Sequence, residues 1–400
     1  MSEERRLHPH WLDHAGLRRL TGALRRAGHD VWFVGGAVRD AALGHHVERP
    51  DVDMTTDARP EEVTAIARQA GFKVVPTGIE HGTVTVIADD LPVEITTLRE
   101  DIETDGRHAK VVFGTSLEAD ARRRDFTINA LYLTPDGRLI DPVGGLGDIA
   151  ARRIRFIGDP RQRIREDYLR ILRLFRMFAR FGDPERGLDA AALAAAAELA
   201  EGLARISPER IGQEMRKLLA ASDPVPAVRA MERAGVLARI LPGASAEGLA
   251  RLVAAEKTLG LAPDPVRRLA ALGGEDPVRR LRLSRREARA LERMAEGAAS
   301  GLSALALGYR LGERNAIGAL LLRHAREGSV PEREDLEALK RGAATRFPLR
   351  GRDLLSLAEG PALGRLLARL EDAFIASGLS LDRDALMALA RSFAAEEETK

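Results

Sequence analysis

Asp51 and Asp53 stand two residues apart in a strand-like run that follows the turn at Pro50. Side chains at positions i and i+2 of a strand lie on the same face, so the two carboxylates are expected to point into one space. Carboxylates held that close together repel each other unless a cation lies between them. Mg²⁺ bound by one or two carboxylates plus substrate phosphates is the usual arrangement. The spacing therefore predicts a Mg²⁺ site for phosphate chemistry, although a solvated Asp-x-Asp also fits this pair when it is taken alone.

Upstream of the aspartates, Gly35 and Gly36 join an apolar run of strand length, Val31–Val34, to a short helical segment over 37–43. Glycine lets the backbone approach a ligand closely, and the N–H groups that open a helix bind anions. Arg39 lies in the first turns of this helix. An ordinary tight turn explains the glycine pair alone. The glycine pair and the two aspartates within about one βαβ length together favour a phosphate site next to a metal site.

A third carboxylate, Glu94, lies in the last of three strand-like runs, 73–76, 83–88 and 92–98. This strand can lie beside the one that carries the aspartates, which would bring Glu94 into the same site. The alternative is that Glu94 is a surface residue. The polar stretch that follows, 99–114, is expected to form a mobile loop over the site.

Three consecutive arginines, ending at Arg124, enter an apolar run and suit triphosphate binding, while Asp125 and Asn129 can hold arginine side chains or ribose hydroxyls. They belong to a basic segment: between Ala121 and Arg180 there are 14 arginines and 7 acidic residues, whereas the whole chain has a net charge of +2. Phosphate is a natural partner for such a segment. Codon bias is the competing explanation, because only six of the 62 basic residues are lysine.

Glu166, Asp167, Arg170 and Arg173 belong to a predicted helix over 163–176, and the last three recur along one side. In isolation this pattern is also typical of a structural helix with i,i+3 and i,i+4 ion pairs. Cytosine and adenine present an exocyclic amine next to a ring-nitrogen acceptor, whereas guanine and uracil present a carbonyl next to an N–H. A carboxylate beside a guanidinium matches the first two bases and leaves unpaired polar groups against the others. We therefore expect Asp167 and Arg170 to read the base, with Glu166 fixing the guanidinium.

The composition excludes several classes of site. The 400 residues include no cysteine, which excludes disulfides and thiolate metal sites. No run of 18 or more apolar residues occurs and the first residues lack a signal-peptide stretch, so a cytoplasmic protein with no membrane partner is expected. Beyond about Pro160, apolar residues recur with a period near 3.6, which predicts helices to the end of the chain.

Four motifs occur in the order and spacing of a known family: Gly35-Gly36-Ala37-Val38-Arg39-Asp40, Asp51-Val52-Asp53, Arg123-Arg124-Asp125-Phe126-Thr127-Ile128-Asn129-Ala130 and Glu166-Asp167-Tyr168-Leu169-Arg170. Over roughly residues 30–180 the chain resembles the tRNA nucleotidyltransferase/poly(A) polymerase family, and within it the bacterial-type (class II) CCA-adding enzymes. The resemblance implies an α/β head of polymerase-β nucleotidyltransferase type, followed by an all-helical neck, body and tail that hold the tRNA acceptor arm. The expected boundaries are 1–158 for the head, 159–222 for the neck and 223–400 for the body and tail.

The resemblance also implies a role for each motif. Asp51 and Asp53 would bind the metal ions. The candidate third catalytic carboxylate, Glu94, is inferred from the strand pattern and not from the resemblance. Triphosphate and ribose contacts would come from Gly35, Gly36, Arg39, Arg124, Asp125, Asn129 and Arg173. Asp167 and Arg170 would read the base. The stretch 99–114 matches the flexible loop that CCA-adding and A-adding members carry.

The expected activity is the addition of CCA to the 3′ end of tRNA, with CTP and ATP as substrates and two Mg²⁺ as cofactors. A poly(A) polymerase or an A-adding enzyme on the same scaffold is the alternative, because the base-reading pair accepts adenine in every case. A non-enzymatic RNA-binding protein is a third possibility, but the presence of Asp51, Asp53 and Asp167 argues against it. The sequence does not predict the oligomeric state.

Overall fold

The computed structural model describes residues 5–75, 82–105, 108–114 and 116–398. The chain divides into two compact units, Met1–Pro242 (unit 1) and Gly243–Lys400 (unit 2). In the described ranges, no helix is long and apolar enough to cross a membrane. The boundary at Pro242 does not decide the three-part division at 158 and 222, which stays a prediction.

Unit 1 contains a mixed sheet and a separate hairpin. Its strands are β1 (Val31–Val34), β2 (Val52–Thr56), β3 (Lys73–Val75), β4 (Thr83–Ala88), β5 (Leu91–Thr97), β6 (Arg99–Asp105), β7 (His108–Phe113), β8 (Tyr132–Leu133) and β9 (Leu139–Ile140). Within the described residues, seven of them form one sheet in the order β3-β4-β5-β2-β1-β8-β9. β2 pairs with β5 in parallel and with β1 antiparallel, so the strand that carries Asp53 lies at the centre of the sheet.

The helices of unit 1 are α1 (Ala15–Arg26), α2 (Gly36–Ala42), α3 (Pro60–Gln69), α4 (Leu117–Arg123), α5 (Gly145–Ala150), α6 (Pro160–Glu166), α7 (Arg170–Phe181), α8 (Ala190–Glu198), α9 (Pro208–Leu219), α10 (Val225–Arg233) and α11 (Val236–Ile240). α1 buries Leu17, Leu20 and Leu24, which lie on one face of the helix because they are three and four residues apart. They share one hydrophobic core with the inward side chains Val84 and Val86 of β4. This core supports the central strands of the sheet.

Unit 2 is helical throughout its described residues: α12 (Ala246–Leu259), α13 (Pro265–Leu272), α14 (Pro277–Arg280), α15 (Arg285–Ala299), α16 (Ala304–Leu311), α17 (Glu313–Glu327), α18 (Arg333–Ala344), α19 (Gly360–Ala376) and α20 (Arg383–Glu398). One core forms around Leu320 and Leu321 of α17. A second core forms around Leu370 and Phe374 of α19. The prediction of an α/β head followed by helices is therefore confirmed.

The predicted mobile loop over 99–114 is wrong as a statement of secondary structure, because β6 and β7 pair as an antiparallel hairpin across most of it. Asp105 pairs with His108, so the strands are joined across 106–107, which lie outside the described residues. Strand pairing satisfies the backbone N–H and C=O groups that a loop would leave to water.

The apolar run over 154–157 has the length and composition that predict a strand, and that prediction is also wrong. The chain there makes only an isolated bridge between Phe126 and Phe156, whose rings lie 4.7 Å apart. The apolar residues Ile154, Phe156 and Ile157 are buried, so the apolar signal reflects core packing and not a strand. In the earlier predicted run over 73–76, β3 ends at Val75 and Pro76 lies outside the described residues.

Two glycines allow α16 and α18 to approach closely. A Cβ added to Gly308 would lie 1.9 Å from the Leu339 carbonyl oxygen, and a Cβ added to Gly342 would lie 1.9 Å from the Leu305 carbonyl oxygen. Since both obstacles are backbone atoms, the helices would have to separate to admit a methyl group.

We therefore expect Gly308→Ala to lower the free energy of unfolding by about 1–3 kcal/mol, as overpacked cores do. Gly364→Ala is the matched control, because Gly364 lies inside α19 with no neighbour within 4 Å of the added Cβ. That change should raise stability by up to about 1 kcal/mol through helix propensity. Urea unfolding of the full chain measures both, and equal effects of the two substitutions would contradict the close approach of α16 and α18.

Candidate active site

The three predicted carboxylates lie on or next to neighbouring strands. Asp53 is half-buried on β2, directly opposite Glu94 on the parallel neighbour β5. Residues paired across two strands point to the same face of the sheet, so Asp53 and Glu94 share a face. Asp51 immediately precedes β2, and both Asp51 and Glu94 are exposed. The register thus places Glu94 beside Asp53, as expected from the sequence, while its catalytic role stays a prediction.

The electrostatics of Asp53 show that the carboxylates act on one another. Burial, together with the negative charges of Asp51 and Glu94, raises the pKa of Asp53 to about 7. Arg124 acts in the opposite direction and favours the charged form. A divalent cation would relieve this repulsion, so the acidic oxygen donors present here fit Mg²⁺.

The described residues contain no group of three or more histidine, aspartate or glutamate side chains arranged to hold a metal ion. An all-protein cage is therefore not built into this part of the chain. Mg²⁺ typically keeps waters and substrate phosphate oxygens and takes only one or two carboxylates from the protein. The pair Asp51 and Asp53 meets that smaller requirement.

Gly35 lies against the carboxylate of Asp53. It caps α2 with φ +82°, a left-handed conformation that favours glycine, and a Cβ added there would lie 3.2 Å from Asp53 Oδ2. Gly36 is the first residue of α2 and has an ordinary φ. The sequence predicts one site for the glycine step and the acidic pair, and in the structure Gly35 and Asp53 are adjacent.

Arg39 is buried and points away from solvent. Its Nε and Nη2 donate to Asp40 Oδ1 at 2.9 and 2.8 Å, and its Nη1 donates to Asn129 Oδ1 at 2.8 Å. The guanidinium carbon lies 4.0 Å from the centre of the Phe181 ring. Burial lowers the pKa of Arg39, although Asp40 opposes this effect. In this arrangement the side chain fixes Asn129 through a direct hydrogen bond.

Asn129 also contacts Asp125, which in turn binds Arg173. Asn129 Nδ2 donates to Asp125 Oδ1 at 3.2 Å, and Arg173 Nε donates to Asp125 Oδ2 at 2.6 Å. Burial alone would raise the pKa of Asp125, but Arg173 and the hydrogen bond from Asn129 outweigh it and lower the pKa to about 2. Four of the predicted triphosphate and ribose residues (Arg39, Asn129, Asp125, Arg173) therefore form one continuous chain of contacts between α2 and α7.

Arg124 is held by a different acid. Its Nε and Nη2 donate to Asp120 Oδ2 at 3.1 and 2.9 Å, and its Nε also donates to the Tyr132 hydroxyl at 3.2 Å. Asp120 is fully buried and also accepts from Tyr132 at 2.7 Å. Sequence reasoning missed Asp120 and Tyr132. The i,i+4 spacing of Asp120 and Arg124 was the available signal.

The predicted continuous helix over 163–176 is wrong. α6 ends at Glu166, Asp167 has an extended backbone with φ −154° and ψ 106°, and α7 begins at Arg170. The Asp167 carboxylate accepts from the Leu169 N–H at 3.1 Å and from Arg210 Nη2 on α9 at 2.6 Å. An aspartate that bonds its own backbone two residues ahead competes with helix formation, which explains the break.

Glu166 and Arg170 make the expected contact across this break. Arg170 Nη1 donates to Glu166 Oε2 at 2.6 Å and to the Arg163 carbonyl at 3.0 Å. Arg163 forms an ion pair with the other oxygen of Glu166. The prediction that Glu166 fixes the guanidinium is confirmed as a contact, whereas base reading stays a prediction. The partner Arg210 was missed, because nothing in the local pattern near Asp167 points to α9.

Two family descriptions match the chain. "Poly A polymerase head domain" matches residues 31–155, and "Probable RNA and SrmB- binding site of polymerase A" matches residues 188–247. The first range contains the sheet, the carboxylates and the glycine step described above.

Named relatives match most of the chain or about half of it. The mouse protein CCA tRNA nucleotidyltransferase 1, mitochondrial is 33% identical over 392 residues, which are 93% of this chain and 89% of that protein. The CCA-adding enzyme of Geobacillus thermodenitrificans is 41% identical over 227 residues, 56% of this chain and 54% of that protein. The structure of the Bacillus stearothermophilus CCA-adding enzyme in complex with CTP superposes with a TM-score of 0.79 at 30% identity, covering 98% of this chain and 100% of that one.

The contact between Gly35 and Asp53 generates a prediction about cation binding. If Asp51 and Asp53 hold a divalent cation, Gly35→Ala should weaken the binding of Mn²⁺, used as a spectroscopic substitute for Mg²⁺, by about tenfold or more (about 1.4 kcal/mol) because the new methyl group displaces the Asp53 carboxylate. The backbone strain at positive φ should also lower the melting temperature.

Gly44→Ala is the control, since Gly44 also has a positive φ of 73° but no neighbour within 4 Å of an added Cβ. It should lower the melting temperature without changing Mn²⁺ affinity. Electron paramagnetic resonance titration separates the two effects. Equal Mn²⁺ affinity in the wild type and the Gly35→Ala variant would exclude the acidic pair as the cation site.

Proposed function

The chain belongs to the CCA-adding tRNA nucleotidyltransferase family, and we propose that it builds the 3′-terminal CCA of tRNA from CTP and ATP without a nucleic-acid template. Family membership follows from identity with a named relative along nearly the whole length of both chains. The observation that carries the proposal is the half-buried Asp53, paired in register with Glu94 and in contact range of Gly35. This geometry supports a nucleotidyl transfer site at the centre of the sheet.

Enzymes of this family are metal-dependent, and we propose Mg²⁺ as the metal here, held by Asp51 and Asp53. When bound, Mg²⁺ would lower the pKa of the attacking 3′-hydroxyl and neutralise charge on the leaving pyrophosphate. The acidic neighbours of Asp53 contribute to its raised pKa, and a carboxylate among like charges gains most from a nearby cation. The raised pKa therefore supports this assignment. Glu94 is proposed as the third carboxylate of the site, with its exposed side chain facing the same space.

Triphosphate and ribose binding is proposed for Gly35, Gly36, Arg124, Asp125, Asn129 and Arg173. Arg124 is the arginine whose charge reaches Asp53, which supports a position near the transferred phosphate. For Arg39 we propose a role that differs from the triphosphate contact expected from the sequence. Its guanidinium is buried against Asp40 and Asn129, so it orients Asn129 for the nucleotide in place of binding the triphosphate itself.

Base selection is proposed for Asp167 and Arg170. The Asp167 carboxylate would accept from the exocyclic amine of cytosine or adenine, and Arg170 would donate to the ring nitrogen. Both groups are already oriented, Asp167 by Arg210 and Arg170 by Glu166. Preorganised partners of this kind lose little entropy on binding, and a mismatched base would leave them unpaired.

We also propose three functional regions: a catalytic head over 1–158, a base-reading neck over 159–222, and a body and tail over 223–400 that bind tRNA. The match to a family description of an RNA-binding region over 188–247 supports RNA contacts around the second boundary. The mouse relative is named mitochondrial, so the cytoplasmic location expected from the sequence stays a prediction.

Primer extension on a tRNA that lacks its terminal CCA tests the activity. With CTP alone the enzyme should add only C residues, with ATP alone it should add nothing, and with both it should complete CCA. A long A tail with ATP alone would favour the poly(A) polymerase alternative. Addition of A only to a tRNA that already ends in CC would favour the A-adding alternative.

In the same assay Asp53→Asn and Asp51→Asn should abolish addition while tRNA binding, measured by filter retention, stays near the wild-type level. The reason is that these carboxylates act on the chemistry and not on the RNA surface. Asp136→Asn, a change in an exposed turn, is the control and should retain full activity. Near wild-type rates in both site variants would overturn the metal assignment.

Asp167→Asn and Arg170→Ala should relax base selection. The asparagine keeps the size of the side chain and an oxygen for the Leu169 N–H, but its amide can donate to the carbonyl of uracil or guanine. Because a good bidentate match contributes about 1–3 kcal/mol, UTP and GTP should gain about ten- to a hundredfold in kcat/KM relative to CTP and ATP.

Relative kcat/KM for the four nucleotides, together with a melting curve, measures this change. Arg165→Ala is the control, since Arg165 is exposed on α6 beside the base-reading residues. It should alter neither quantity. A lowered melting temperature with unchanged nucleotide ratios in the Asp167 and Arg170 variants would assign these residues a purely structural role.

A further inference from the structure

The strongest concentration of positive charge in unit 2 lies around the start of α15. Between Pro277 and Arg293 the chain has seven arginines and two glutamates. Four of the arginines belong to α15 itself: Arg285, Arg286, Arg289 and Arg293. All four are exposed. We call these four residues the arginine face.

The spacing of the arginine face places its members on one side of the helix. Arg285, Arg289 and Arg293 are four residues apart, and Arg286 is seven residues before Arg293. At 3.6 residues per turn the four side chains fall within an arc of about 100°. The buried side chain on α15, Met294, and the buried Gly297 and Ala298 lie outside this arc, so the helix packs through another side and presents the arginines to solvent.

Three members of the arginine face have no partner among the described residues: the side chains of Arg285, Arg286 and Arg289 make no hydrogen bond or ion pair there. Arg293 donates to the Arg310 carbonyl at 2.8 Å, which uses one of its five donors. Elsewhere in the unit, arginines pair with acids, for example Arg314 with Asp264 at 2.7 Å. The guanidinium groups of the arginine face remain available for a partner.

Helix stability does not account for the arrangement. Arg285 and Arg286 occupy the first turn of α15, where the helix dipole favours acidic residues and disfavours cations. Like charges four residues apart, as at Arg285, Arg289 and Arg293, destabilise a helix further by a few tenths of a kcal/mol per pair. The sequence therefore keeps these arginines at positions where they lower the stability of the folded chain.

We propose that the arginine face binds the phosphate backbone of a base-paired part of the tRNA substrate. This inference rests on the proposed function, which makes tRNA the partner. Guanidinium groups bind phosphate oxygens in a bidentate manner, and contacts of this kind position an RNA without reading its sequence. The stretch 277–293 contains no aromatic residue, so it lacks the stacking platform that binds single-stranded bases. The partner is therefore the duplex backbone and not the single-stranded 3′ end.

The test is the full-length triple variant Arg285→Gln, Arg286→Gln and Arg289→Gln. We expect its Kd for tRNA at physiological salt to rise by about tenfold or more, and the slope of log K against log salt to fall by about 2–3, because each lost phosphate contact releases about one counterion fewer. The KM for tRNA should rise, whereas the KM for CTP should not. The melting temperature should stay equal or rise, since the helix start loses unfavourable charge.

A second triple variant, Arg25→Gln, Arg26→Gln and Arg68→Gln, is the matched control. It removes the same charge from exposed arginines at the ends of α1 and α3 in unit 1. An equal loss of tRNA affinity in this control would overturn the proposal in favour of a general effect of net charge. An unchanged Kd and salt slope in the first variant would also overturn it.

The variant Arg285→Lys, Arg286→Lys and Arg289→Lys gives an answer even if the glutamine variant does not fold. It keeps the charge, so the salt slope should stay near that of the wild type while the affinity falls, because lysine cannot bind phosphate in a bidentate manner. Wild-type affinity and slope in this variant, together with a glutamine variant that does not fold, would overturn the proposal. Failure of the wild type to extend tRNA while the arginine-dependent binding persists would overturn the proposed function and leave the arginine face supported.

Discussion

The repulsion among carboxylates at the centre of the sheet is the constraint on which the site depends. Asp53 is held half-buried on β2 by two strand ladders, antiparallel to β1 and parallel to β5. The ladder to β5 fixes Glu94 opposite it, and Gly35 leaves room for its carboxylate. Burial and acidic neighbours raise the pKa of Asp53 to about 7, so the fold maintains an arrangement of charge that the isolated residues would avoid. Backbone hydrogen bonds and the core beneath the sheet supply the stability that opposes this repulsion, and a divalent cation would remove it.

Around this centre, the residues expected to meet the nucleotide are connected to one another before any nucleotide binds. Arg39 fixes Asn129, Asn129 bonds Asp125, and Asp125 bonds Arg173. Arg39 and Asp125 are buried, Arg173 is half-buried, and all three charges are paired, so the loss of one member would leave the next uncompensated. The chain of contacts also joins α2, which follows the glycine step, to α7, which follows the base-reading residues.

The sequence predicted the elements that local periodicity controls and missed those that depend on distant partners. The strand Val31–Val34 follows from a short apolar run, and the helical second half follows from a period of 3.6 residues. The sequence offered the pairing that brings Glu94 to Asp53 only as one of two alternatives, and the strand register decides for it. The break at Asp167 depends on its hydrogen bond to its own backbone and on Arg210, 43 residues away in sequence. The burial of Arg39 depends on Asn129 and Phe181 in the same way. No pattern around Arg39 distinguishes an arginine that binds phosphate from one that fixes a neighbour.

The difference between an arginine that fixes a neighbour and one that binds phosphate also applies to the basic segment between Ala121 and Arg180. Within the described residues, nine of its 14 arginines bind a carboxylate, and Asp120, Asp148 and Glu166 each bind two of them. Most of this positive charge is therefore committed to internal pairs, several of them buried, and is not free to attract RNA. Codon bias raises the number of arginines but does not determine their positions in the fold. It therefore explains neither these specific pairs nor the unpaired arginines of α15. The charge available to an RNA phosphate depends on which guanidinium groups lack an acidic partner, and within the described residues the arginine face of α15 meets that criterion over a short stretch of chain.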